Sequence, residues 1–127
     1  MCLAKTIFMK IAIPHWQGRV SPVFDVSDGL LVIDIKDGRQ VRRESIILCR
    51  SDPFARAKEV ADLGAEVLLC GAVSHVLERA LMGAGVEVFS FICGDLEAVL
   101  DAFLRGQLDD DRFLMPGSCA KWRRAKN

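Results

Sequence analysis

Histidine is scarce: the sequence has only His15 and His75, which leaves room for very few acid–base designs. Nucleotide fingerprints are absent. No G-x-x-x-x-G-K-[ST] occurs, so there is no phosphate-cradling loop, and no G-x-G-x-x-G follows a strand. The sequence contains neither G-x-S-x-G nor H-E-x-x-H, which removes the hydrolase elbow and the zincin motif. It contains no C-x-x-C, so thioredoxin-type redox chemistry and zinc-knuckle spacing are excluded. No apolar run approaches the roughly 18 residues of a membrane helix. The tract over residues 6–13 is interrupted by Lys10, which argues against a signal peptide. Net charge is also lacking: 17 basic side chains balance 17 acidic ones, which argues against a broad nucleic-acid surface.

What remains is a chain of 127 residues, the size of one ordinary domain. Apolar residues make up 51% and charged residues 27%, a balance that buries a core without covalent staples. The charge is unevenly placed. Lys121, Arg123, Arg124 and Lys126 lie at the end, and without them 13 basic residues face 17 acidic ones. Such a tail reads first as a solvated terminus, and second as a contact for an anionic partner. The five cysteines, Cys2, Cys49, Cys70, Cys93 and Cys119, are odd in number and follow no secretory segment. Reduced thiols and a cytoplasmic location are therefore expected.

Periodicity divides the chain in two. Residues 9–14 read as a short buried strand stopped by Pro14, followed by a loop to Asp25. Residues 30–36 and 41–49 read as strands joined by an Asp37-Gly38 hairpin turn. The opening is thus an antiparallel meander. From Asp52-Pro53 the pattern changes to helix and strand in alternation. The first helix carries Phe54, Ala57, Val60 and Ala61 on its apolar face and closes at Gly64. A strand over 66–70 is followed by a helix capped by Ser74, with Val76, Leu77, Ala80 and Leu81 inward. A strand over 86–93 is followed by a helix capped by Asp95, with Leu96, Val99, Leu100 and Phe103 inward. The segments 64–71 and 85–94 echo one another as glycine, strand and Cys-Gly turn. Two such units with right-handed crossovers imply parallel strands. The expectation is an α/β fold with a mixed five-stranded sheet, over residues 9–106. Residues 107–127 are expected to be a flexible acidic-then-basic tail.

Soft ligands gather at strand ends in this scheme. Cys70 and Cys93 end the last two strands, Cys49 ends the third, His15 follows the first, and His75 opens a helix. Ligands of open α/β sheets bind at the carboxyl ends of strands, beside the switch point. Cys70, Cys93, His15 and His75 are therefore the candidate cofactor-binding residues, with Cys70, Cys93 and His75 as metal ligands. Each has a plainer reading. A lone cysteine at a strand end is usually a small buried hydrophobe, and a histidine at a helix start is usually a surface residue. The first strand carries no carboxylate, which discounts a magnesium-dependent nuclease.

The order of these pieces resembles the dinitrogenase iron–molybdenum cofactor biosynthesis family, which includes NifX and NafY type carriers and the carboxyl-terminal domain of NifB. Met9-Lys-Ile-Ala-Ile-Pro14 resembles its opening strand. Ser21-Pro-Val-Phe-Asp-Val-Ser-Asp-Gly-Leu30 is similar to its Ser-x-x-Phe-Gly-x-Ala-x-x-Phe block. Gly64-Ala-Glu-Val-Leu-Leu-Cys-Gly-Ala72 resembles its Gly-x-Asp-Val-Val-Ile-x-Gly strand, and residues 77–89 and 96–108 resemble its closing blocks. The chain departs from the pattern at Val23, where many members carry His, and at Asp25, which replaces Gly. Residues 1–8 form an extension outside the pattern, with Met1 and Met9 both available as the start.

The resemblance implies a ribonuclease H-like three-layer fold. It also implies a non-catalytic accessory or carrier domain for an iron–sulfur or iron–molybdenum cluster or its precursor. Its partners would be metallocluster assembly or acceptor proteins, with no membrane or specific nucleic acid, and the chain a monomer or weak homodimer. The alternative is a metal-free regulatory or interaction module on the same fold. A reactive-thiol enzyme ranks behind both, because no cysteine shows a His–carboxylate relay.

Overall fold

The computed structural model describes residues 8–106, so the expected extension and tail, with Cys2 and Cys119, lie outside the described residues. Six strands and three α-helices follow one another: β1 (Phe8–Trp16), β2 (Arg19–Val20), β3 (Gly29–Lys36), β4 (Arg39–Ile47), α1 (Pro53–Asp62), β5 (Val67–Leu69), α2 (His75–Gly83), β6 (Glu87–Phe89) and α3 (Leu96–Leu104). The main sheet has the order β4-β3-β1-β5-β6, and β2 adds to β1. Strands β1, β3 and β4 pair antiparallel, as the meander requires, while β1, β5 and β6 pair parallel. The expected mixed α/β sheet is therefore present. Strands β1, β4, β5 and β6 end on one edge, called here the carboxyl edge.

Side-chain alternation gives the sheet two buried faces. Ile11, Ile13, Leu31, Ile33, Val67 and Leu69 turn to the side covered by Val99 and Leu100 of α3. Ala12, Leu30, Val32, Leu68 and Val88 turn to the side covered by Val60 of α1 and by Leu77 and Leu81 of α2. Burying each large aliphatic side chain contributes about 1.5–3 kcal/mol, which is why this alternation fixes the register.

The local signals act as expected at several points. Asp37 and Gly38 both have positive φ, 53° and 81°, as a two-residue hairpin turn needs. Asp52 accepts from the Ala55 amide, and Pro53 occupies the first helical position. Ser74 caps α2 through the Leu77 amide, and Asp95 caps α3 through the Glu97 and Ala98 amides.

Five expectations are corrected, the first being Val76, which was expected on the inward side of α2 and is exposed. Pro14 does not stop β1, which continues to Trp16. Its carbonyl accepts from Ser21 at the end of the β1–β2 ladder, where a missing N–H leaves no central rung unpaired. The loop after β1 contains a second hairpin, turned at Gln17 and Gly18 with φ of 53° and 78°. Phe54 is exposed, and Arg56 takes the inward position. Strand β6 ends at Phe89, so Cys93 lies four residues past it and does not end a strand.

Candidate functional site

The carboxyl edge is crossed by residues 21–28, which run from β2 to β3 over the end of β5. The Pro22 carbonyl accepts from Ala72 at 2.8 Å, and the Ala72 carbonyl accepts from Phe24 at 2.9 Å. Gly71 permits this approach: a Cβ there would lie 2.5 Å from the Ser21 oxygen and 2.6 Å from the Pro22 oxygen. Glycine at this position therefore admits the crossing chain.

Two side chains fasten the crossing segment. Asp25 accepts from the Ser74 amide at 2.7 Å and from the Ser74 hydroxyl at 2.6 Å. Arg56 is 2% exposed and donates to the carbonyls of Phe24 and Ser27 and to the Asp28 carboxylate. Its guanidinium also stacks 5.5 Å from the Phe24 ring centroid. Neither role was read from the sequence. The signal for Arg56 was its spacing, because residues 56, 57 and 60 share one helical stripe.

Beneath this segment lies Cys70, which is fully buried in the core on the α1–α2 side. Burial pushes its thiol well above the ordinary range, with the nearby carboxylates of Glu78 and Asp25 adding to the effect. It is a protonated core thiol here, whereas a metal ligand is a thiolate. Register sets what lies across from it, and its carbonyl accepts from the Ile92 amide at 3.0 Å. Leu69 pairs with Phe89, so the next residue across from Cys70 is the buried Ser90. The second unit of the echo is two residues longer than the first, so Cys93 stands past the strand pairing and is not the residue opposite Cys70.

The other candidates lie at the same edge in different settings. His15 follows Ile11 and Ile13 on the α3 side of the sheet, and a 3.2 Å hydrogen bond joins its Nε2 to Ser45 Oγ. Cys93 is half-buried beside the β1–β2 hairpin, where the Val20 amide donates to the Gly94 carbonyl. His75 is exposed at the first residue of α2. Cys49 is exposed two residues past β4, and its amide donates to Glu59. The edge therefore holds all four candidates, with His15 and Cys70 turned to opposite faces of the sheet. Among the described residues, no three of His, Cys, Asp and Glu come together as a group able to hold a metal ion.

The helix N-termini are also engaged. Asp25 and Ser74 close α2, and Asp95 with the Gly18 carbonyl closes α3. Beside the latter, Arg43 of β4 grips Glu97 of α3 through two hydrogen bonds of 2.7 and 3.0 Å. This pairing holds the Glu97 carboxyl below its usual range and raises Arg43. Within the described residues, no helix is long and apolar enough to cross a membrane.

Such a sheet, with a crossed carboxyl edge and three capped helices, matches a defined group of proteins. The family model for the dinitrogenase iron-molybdenum cofactor matches residues 8–106, and the chain belongs to that family. Among solved structures it is similar to PH0822, with 23% identity over 78% of this chain and 93% of that one, at a TM-score of 0.73. It is similar to the apo form of the orange protein from Desulfovibrio gigas, with 28% identity over 78% of this chain and 89% of that one, at a TM-score of 0.65. A protein from Methanocaldococcus jannaschii matches with 18% identity over 80% of this chain and 92% of that one, at a TM-score of 0.67. No curated protein matches the chain in sequence.

Proposed function

We propose that this chain is a non-catalytic accessory carrier. Its cargo in this reading is an iron–sulfur or iron–molybdenum cluster, or a precursor, passed between metallocluster assembly and acceptor proteins. The observation that carries the reading is the family match over the whole described fold. The 28% identity with the orange protein supports it further. The functional unit is taken as residues 9–106, with 1–8 as an extension and 107–127 as a tail. A ribonuclease H-like arrangement is part of the same reading, supported by the sheet order and by helices on both faces. The free thiols of Cys49, Cys70 and Cys93 support a reducing cytoplasmic setting.

Exposure ranks the candidate ligands. Cys93, His15 and His75 reach solvent and suit a cargo that must exchange, while Cys70 contributes as a core residue. A second reading, a metal-free interaction module, is favoured by the burial of Cys70 beneath residues 21–28. Anaerobic reconstitution of the full chain separates the two, with ferrous iron and sulfide in one arm and tetrathiomolybdate in the other. The carrier reading expects a sulfur-to-metal absorption band that co-elutes with the folded protein and weakens in Cys93→Ser. Elution of all metal away from the protein in both arms defeats it.

A further inference from the structure

Nine large apolar side chains are exposed among the described residues, and they are not spread evenly. Only Val41, early in β4, and Met82, in the last turn of α2, lie away from the carboxyl edge. The other seven surround that edge. Trp16 ends β1 and Ile47 ends β4. Val23 and Val26 lie on the crossing segment. Phe54 and Val76 stand in the first turns of α1 and α2. Phe91 follows β6 with a positive φ of 61°, an uncommon conformation for a bulky residue, and its amide donates to the Gly71 carbonyl.

Val26, Ile47 and Phe54 are 78%, 67% and 67% exposed. At about 100 Å² for each of the seven, the rim offers roughly 700 Å², close to the ~800 Å² that each partner gives to a standard interface. A monomer rarely leaves so much apolar surface on one end. The carboxylates among these side chains are already engaged: Asp25 with Ser74, Asp28 with Arg56, and Asp52 and Asp95 as helix caps, while the exposed Arg19 beside Trp16 and Arg50 between Ile47 and Phe54 carry the rim's free charge. Covering the rim therefore strands no carboxylate, and the long side chains of Arg19 and Arg50 can keep their charge at its margin.

We propose that this rim is a self-association surface, on which a second copy of the chain docks edge to edge. The area is the argument for a second copy: a like rim supplies an apolar surface of the size a standard interface needs from each partner, with the same engaged carboxylates. The consequence for the cargo rests on the carrier reading. One chain brings together no three-ligand group among its described residues, whereas two copies meeting here bring two sets of Cys93 and His75 to one interface.

The test is sedimentation equilibrium of the full chain, free of metal and in reductant. Association is expected with a dissociation constant on the order of micromolar to tens of micromolar, because the interface is of only standard size. Phe54→Asp and Val26→Asp should each weaken it by about tenfold or more, since each places a charge in a dry contact. Met82→Asp, at the opposite end, should leave it unchanged. Thermal unfolding confirms that each variant is folded. A parent that stays monomeric to about 1 mM overturns the proposal, as does equal weakening by all three variants. Because the sample is metal-free, loss of association leaves the carrier reading standing, and failed reconstitution leaves the association standing.

Discussion

The carboxylate of Asp25 holds Ser74 at two points, its amide at 2.7 Å and its hydroxyl at 2.6 Å. Forty-nine residues separate them in sequence. The bond ties the segment over the carboxyl edge to the first turn of α2. Asp25→Ala leaves the Ser74 amide without its partner. A loss of about 1–2 kcal/mol is expected in urea unfolding. A loss below about 0.3 kcal/mol places the bond among surface contacts of no consequence.

Arg56 is the buried counterpart of that fastening. Arg56→Ala strands the Ser27 carbonyl, leaves the Phe24 carbonyl with the Ser27 amide alone, and empties the space beside the Phe24 ring. Destabilisation of about 3 kcal/mol or more is expected, well beyond the loss of a surface arginine. Arg79→Ala, on the exposed side of α2, is the comparison and should change stability by less than about 0.5 kcal/mol.

Gly71→Ala tests the crossing directly. The added methyl meets two backbone oxygens at 2.5 and 2.6 Å, and backbone cannot swing aside as a side-chain end can. The variant is expected to lose on the order of 2–3 kcal/mol or to fold only at low temperature. Thermal scans beside Gly83→Ala, which meets nothing within 4 Å, decide the matter.

Cys70 makes stability depend on alkaline pH. Its folded thiol titrates well above the unfolded value of about 8.5. The folded state therefore keeps a proton that the unfolded state releases. Stability from this group is complete below about pH 8.5 and falls as pH rises above it, by up to ~1.4 kcal/mol per unit. Urea unfolding from pH 7 to 10 should show this decline, and Cys70→Ala should flatten it. Equal alkaline decline in both proteins sinks the assignment. Pulsed alkylation should modify Cys49 quickly and Cys70 only on unfolding, because one is exposed and the other buried.

By itself the sequence determined the elements and their order. The Asp37-Gly38 turn, the Asp52-Pro53 start, the Ser74 and Asp95 caps and the two apolar periodicities act over a few residues, so they are readable one after another. The mixed sheet followed, because right-handed crossovers leave few alternatives. Within the described residues, tertiary structure decided what stands at the carboxyl edge. A difference of two residues between the two strand units puts Ser90, not Cys93, across from Cys70, and the β5–β6 register reveals it. The path of residues 21–28 buried Cys70 and gave Gly71, Asp25 and Arg56 their roles through contacts made 28 to 50 residues apart in sequence. Contacts between distant segments depend on the whole packing and leave little local signature, and for that reason the strand ends were legible while the surface they form was not.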